Sequence, residues 1–186
     1  MKKKLLFIIF FLAVFDAWAQ KKPEINSYVD STINSIISQS FKFKGIYQTI
    51  EDSLFEVGTR RRISFYAFGF YGCPPCRSQL PYLIRMADSM KFCDVIYITY
   101  DDKKTLYKEL DELGINILNI PHNMFFINTD LSKIRSYVVG YPTHYITDTN
   151  NKVLYTDLYD KWPGEPHTLD PVQKIAFWKQ IIESYK

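Results

Sequence analysis

Ile63 to Cys76 reads ISFYAFGFYGCPPC, an apolar run that ends on two cysteines separated by two prolines. From Ile63 to Phe68 both alternate sets of side chains are apolar apart from Ser64, as a strand covered on both faces by helices requires. Beyond the cysteines Leu80, Leu83, Ile84 and Ala87 recur at helical spacing, which predicts a helix from Pro75 to about Met90. The pair therefore stands at a strand-to-helix corner. Cys73 takes the cap position and Pro74 the first turn, where a missing amide costs nothing. The positive end of the helix faces the Cys73 sulfur and lowers its pKa from about 8.5 toward about 7. Cys76, three positions on, is within disulfide reach and turned inward. Cys73 is thus the candidate nucleophile toward a substrate disulfide, and Cys76 the thiol that resolves the mixed disulfide.

Working outward, Val95 to Tyr100 repeats the apolar strand pattern, so strand, helix and strand make a parallel crossover unit. Asp102 starts a helix carrying Leu106, Leu110 and Leu113, and Gly114 ends it. A shorter helix is predicted around Leu131, Ile134 and Val138. Thr143–Thr147 and Lys152–Thr156 flank Asp148-Thr149-Asn150-Asn151, a cluster of turn formers, which predicts an antiparallel hairpin and a mixed sheet. Residues 159–168 hold Pro163, Gly164 and Pro166 and read as a surface loop. Asp170-Pro171 then caps a final helix through Val172, Ile175, Trp178 and Ile182. Upstream, residues 41–57 read as edge strands or an extended lead-in, and Ile25, Tyr28, Val29, Thr32, Ile33, Ile36 and Ile37 predict an amphipathic helix.

The first twenty residues have the form of an export signal. Lys2, Lys3 and Lys4 precede an apolar run from Leu5 to Phe15, and Ala17-Trp18-Ala19 suits cleavage before Gln20. A membrane-spanning helix needs about 20 apolar residues, so the run is short for an anchor. The expected division is a signal peptide over 1–19, an N-terminal helical extension over 20–40 and one folded domain over 41–186, with no stable membrane insertion after cleavage. The 186 residues carry 23 basic and 20 acidic side chains. Cleavage takes three lysines and Asp16, leaving 20 against 19, a balance too even for a protein whose main business is nucleic acid. An exported chain meets an oxidising compartment, where a cysteine pair can carry redox chemistry.

A second signal stands at the entrance to the hairpin, in Val139-Gly140-Tyr141-Pro142-Thr143. A cis bond before Pro142 would turn the Tyr141 backbone toward the cysteines. The order strand, Cys-x-x-Cys, helix with Pro81, strand, helix, Gly-Tyr-Pro-Thr and hairpin resembles the thioredoxin fold, and the exported thiol-disulfide oxidoreductases of the TlpA/ResA type in particular. The resemblance covers roughly residues 40–186. It implies an α/β fold with a central mixed β-sheet flanked by helices, and an enzyme whose redox group is the cysteine pair itself, with no bound cofactor or metal. It implies Cys73 as attacking and Cys76 as resolving cysteine, Pro74 and Pro75 in the active-site loop, and Tyr141, Pro142 and Thr143 at the substrate, with Pro142 the guiding cis-proline and Pro81 the proline that kinks the helix. Implied partners are disulfide-containing proteins and a membrane or soluble thiol donor.

Several positions depart from that family. Tyr71 and Gly72 stand where a tryptophan is usual. Ala67, six residues before Cys73, and Gln79, six after it, replace buried acids, which leaves no obvious proton acceptor for Cys76. The two prolines remove two amides from the Cys73 sulfur and leave that of Cys76, which points to a reducing couple. Alternatives stand beside these readings. The pair could be a permanent disulfide or half of a zinc site. Cys93 could be a small core side chain or a third redox thiol. His122, His144 and His167 are widely separated; His144, two residues past Pro142, could join the cysteines in a copper-delivery site or be an ordinary strand histidine, and the alternative to an enzyme is a redox-sensitive binding protein or a copper metallochaperone on the same fold. Arg60, Arg61 and Arg62 read as solvated charge or a contact for an acidic partner, and Asp101 and Asp102 as helix caps.

Overall fold

The computed structural model describes residues 36–59, 61–138, 140–157 and 171–186. The expected signal peptide, most of the N-terminal helix, Arg60, Val139, the 159–168 loop with His167, and the Asp170 cap lie outside the described residues. Within them, no helix is long and apolar enough to cross a membrane.

The core is a five-stranded mixed sheet. Its strands are β3 (Ile63–Phe68), β4 (Cys93–Thr99), β5 (Met124–Asn128), β6 (Thr143–Thr147) and β7 (Val153–Thr156), in the order β5-β4-β3-β6-β7. β3, β4 and β5 run parallel, while β6 is antiparallel to β3 and to β7. Helix α1 (Pro74–Ser89) makes the predicted crossover between β3 and β4. Helix α2 (Lys103–Glu112) begins where Asp102 accepts a hydrogen bond from the Thr105 amide at 2.7 Å, and Gly114, at φ +67°, follows its last turn. The short α3 (Leu131–Ile134) tightens into a 3₁₀ turn, Arg135–Tyr137, that leaves Val138 outside. Helix α4 (Pro171–Ser184) closes the chain.

Strand alternation fills both faces. Ile63, Phe65 and Ala67 pack with Leu80, Leu83 and Met86 of α1, Leu106 and Leu110 of α2, and Trp178 and Ile182 of α4. Tyr66 and Phe68 point the other way. The second face is covered less by helices than expected, and more by aromatic side chains of the lead-in. Phe41 lies 4.6 Å from the Tyr66 ring and 4.8 Å from Tyr145, and Phe43 packs edge-on against Phe68. The lead-in continues into a hairpin of its own, β1 (Gly45–Gln48) with β2 (Leu54–Val57), rather than into edge strands of the main sheet.

Strand β5 has no counterpart in the sequence reading. Met124, Phe125, Phe126 and Ile127 make a short apolar run whose assignment depends on its parallel pairing with β4. Its entrance is set by the buried Asn123, whose amide donates to the carbonyls of Ala87, Met90 and Cys93 and so ties the end of α1 to the start of β4.

Candidate active site

The site forms where β3 hands over to α1. Gly69 still donates to the Ile98 carbonyl of β4, and Tyr71 donates its amide to Asp101 Oδ2 at 2.6 Å, so the loop carrying the cysteines is anchored to the end of β4. Asp101 also accepts from Thr99 Oγ1 at 2.8 Å. Only Asp102 of the acidic pair is a helix cap; Asp101 is the anchor of this loop. Cys73 is the N-cap of α1, with Pro74 and Pro75 in the first turn, and its sulfur accepts from the Cys76 amide at 3.2 Å. Cys73 and Cys76 are joined as a disulfide with Cα atoms 5.3 Å apart. Cys73 keeps 5% of its surface exposed and Cys76 1%.

An aromatic wall replaces the missing tryptophan. Phe70, whose carbonyl accepts from the Cys73 amide, stacks on Tyr100 at 5.2 Å and meets Tyr141 edge-on at 4.9 Å. Tyr141 is thereby placed against the cysteine loop, and the Tyr141–Pro142 bond is cis. Thr143 pairs with Phe68 across the sheet, so Pro142 stands beside the end of β3, and the Thr143 hydroxyl donates to the Gly140 carbonyl. Tyr71 turns outward. Its ring receives Arg77 at 4.8 Å and Lys108 at 5.3 Å, and its hydroxyl donates to Glu112, which also holds Arg77 at 2.7 Å.

Beneath the loop lies a cluster of buried polar side chains that the sequence reading missed. Glu109 of α2 is fully buried and neither carboxylate oxygen has a hydrogen-bond partner among the described residues. Burial, reinforced by the negative field of Asp101 and opposed by Arg77 at 4.0 Å, pushes its carboxyl up to about 7. A signal was present, since Leu106, Glu109, Leu110 and Leu113 share one helical stripe. Tyr97 of β4 reaches the same place; burial, then the Glu109 charge, pushes its hydroxyl well above the usual range. That hydroxyl abuts Gly69, where an added Cβ would lie 2.4 Å from it. Gly69→Ala is therefore expected to cost roughly 1–3 kcal/mol in urea denaturation. Tyr97→Phe, which removes an unpartnered buried hydroxyl, should be neutral or stabilising alone and recover part of that loss.

Gln79, one turn after Cys76 and buried, bonds His144 at 2.9 Å, and His144 bonds Asp157 at 2.5 Å. Both ring nitrogens of His144 are thus engaged away from the cysteines, and no grouping of His, Cys, Asp and Glu among the described residues has the make-up of a metal site. Cys93 is fully buried at the head of β4, and burial pushes its thiol up to about 12. Arg62 is not merely solvated, since it lies 3.2 Å from the buried Asp94 and donates to the Lys91 carbonyl.

No protein-family profile matches the chain, and no curated protein matches it. Solved structures do. A secreted Mycobacterium tuberculosis disulfide oxidoreductase homologous to E. coli DsbE superposes with a TM-score of 0.56 at 11% identity, over 76% of this chain and 96% of that one. A thiol:disulfide interchange protein of the thioredoxin family from Chlorobium tepidum gives 0.54 at 16% identity, over 76% and 92%. The thioredoxin domain of a thiol-disulfide oxidoreductase from Bacteroides vulgatus gives 0.52 at 17% identity, over 78% and 95%. Sheet order, the crossover helix with its capping cysteine and these neighbours agree that the chain has the thioredoxin fold.

Proposed function

We propose that the protein is an exported thiol-disulfide oxidoreductase that reduces disulfides in partner proteins. The observation that carries this is the Cys73 sulfur at the N-cap of α1, hydrogen-bonded by the Cys76 amide and disulfide-bonded to Cys76 one turn further on. In the reduced protein the Cys73 thiolate attacks a substrate disulfide, forming a mixed disulfide and expelling one substrate thiol. Cys76 then attacks Cys73, closing the internal disulfide and releasing the second substrate thiol. What exposure the pair keeps lies mainly with Cys73, which suits the division of roles. Tyr141, which meets Phe70 of the loop, and Pro142 are assigned to the edge along which substrate backbone would lie, with the buried Thr143 behind them. A membrane or soluble thiol donor restores the dithiol. Export is supported by residues 1–19, with a helical extension to residue 40 and the folded domain over 41–186.

One sulfur-directed amide survives the two prolines, which gives modest thiolate stabilisation and hence a reducing couple. Equilibration of the chain with glutathione should return a potential between about −270 and −180 mV, and the reduced chain should reduce insulin catalytically. A value near −120 mV would reverse the direction of electron flow and overturn the assignment as a reductase.

A further inference from the structure

The segment that carries the cysteines is held at both ends by one group of side chains. At its start the Tyr71 amide donates to Asp101 Oδ2, and the Tyr71 hydroxyl donates to the Glu112 carboxylate, 3.1 Å from each oxygen. At its end the Arg77 amide donates to the Cys73 carbonyl at 3.1 Å, and Arg77 Nη2 donates to Glu112 Oε2 at 2.7 Å. The same guanidinium lies 4.8 Å from the centre of the Tyr71 ring, so Tyr71, Glu112 and Arg77 close a clasp across residues 72–76. Lys108, 3.7 Å from Glu112 and 5.3 Å from the Tyr71 ring, braces it from α2. Within the clasped segment Cys73 keeps 5% of its surface exposed. Disulfide exchange depends on access to the sulfur, so this segment has to yield before a substrate can react.

Arg77 also faces a carboxyl that it does not bond. Its Nε is 4.0 Å from Glu109 Oε1, beyond hydrogen-bond reach, and neither that nitrogen nor either Glu109 oxygen has a hydrogen-bond partner among the described residues. The spacing suits a neutral acid. Burial first, and then the negative field of Asp101, keep the proton on Glu109 up to about 7, against the pull of Arg77. The charged and titratable groups around Glu109 are Arg77 of α1, Tyr97 of β4, Asp101 just beyond β4, and Glu112 on its own helix. Arg77 is the one cation among them. An ionised carboxylate that stays buried and unbonded is costly, and a guanidinium about 1 Å short of contact, with its Nε–H unspent, is the group that can relieve it.

We propose that Arg77 is a two-position latch on the cysteine segment, and that Glu109 is the positioning residue that sets it. With Glu109 neutral, the guanidinium lies outward and the clasp is closed. With Glu109 ionised, Arg77 turns inward, its Nε–H donates to the carboxylate, and Tyr71 and Glu112 lose their cation. What Glu109 recovers the clasp gives up, so the acid stays costly to ionise. The start of the segment is then tethered chiefly by the Tyr71 amide on Asp101, and Cys73 becomes easier to reach. Neither residue exchanges a proton or an electron with the cysteines. The consequence for catalysis rests on the disulfide exchange proposed above: exchange is restrained below neutral pH and released above it, over and above the change that thiolate formation brings.

The test has two readouts on the full, oxidised chain. Arginine side-chain NMR should show the Arg77 Nε–H moving downfield and exchanging more slowly with solvent as pH rises, with a midpoint near 7 that is lost in Glu109→Gln. The second readout is the rate at which tris(2-carboxyethyl)phosphine opens the Cys73–Cys76 disulfide, taken as the ratio of parent to Glu109→Gln so that the reagent's own titration cancels. That ratio should be near one well below pH 7 and rise to about tenfold well above it, the change expected when one charge-assisted hydrogen bond is withdrawn from the clasp. Arg77→Gln, which has no latch, should be opened about tenfold faster than the parent below pH 7 and no faster above it. A general loosening of the fold would speed that variant at every pH. An Arg77 signal that stays put, a flat ratio, or an Arg77→Gln rate that tracks the parent or exceeds it throughout would each overturn the latch and leave the oxidoreductase reading intact. A disulfide that the phosphine cannot open at any pH in the folded chain would remove that reading instead, and the Arg77 titration would still decide whether the guanidinium moves.

Discussion

Cys76→Ser is expected to bring catalytic insulin reduction down to the uncatalysed background while the protein accumulates as a mixed disulfide through Cys73. The sulfur proposed to attack still lies at the N-cap of α1 and still receives the amide of residue 76, since that donor is backbone. What disappears is the only sulfur one turn away that can expel the substrate. Cys73→Ser should also fall to background, but with no trapped adduct, because Cys76 is more deeply covered and lacks the cap position. The asymmetry is read by non-reducing gel and mass spectrometry after mixing each reduced variant with oxidised insulin. Equal trapping by both variants would exchange or erase the assigned roles.

The second large effect concerns stability and Glu109. The unfolded chain releases this proton near the ordinary carboxyl value of 4.5, whereas the folded chain keeps it to about 7. Between those limits the folded state binds more protons, so stability falls as pH rises and levels off above about 7. The shift corresponds to about 3 kcal/mol at 1.36 kcal/mol per unit. Glu109→Gln retains the shape of the neutral acid and cannot ionise. It should match the parent near pH 4.5 and exceed it by about 3 kcal/mol at pH 8 in urea denaturation. A variant no more stable than the parent at pH 8 would mean that Arg77, 4.0 Å away, already compensates the charge.

The parts of the fold written in local chemistry were legible in the sequence. The apolar strand before Cys73, the spacing of Leu80, Leu83 and Ala87, the Asp102 cap and the turn at residues 148–151 each act through neighbours a few positions apart, and each appears in the structure. Strand β5 was not legible, because a four-residue apolar run becomes a strand only by pairing with β4. The candidate site divides the same way. Cys73 and Cys76 announce themselves by spacing, but Gln79 meets His144 across 65 positions, and His144 meets Asp157 across 13. Nothing local at any of the three marks the meeting. Glu109 is intermediate, since its place on a leucine stripe shows in sequence while the orphaned state of its oxygens requires the packed neighbours.

Cys93 stands apart from this chemistry. An odd third sulfur in a molecule proposed to trade disulfides invites mispairing and covalent dimers. Fully covered, and with ionisation deferred to about pH 12, this one is withheld from exchange for as long as the chain stays folded. Loss of the fold therefore does more than end activity: it turns an inert core atom into a crosslinking hazard.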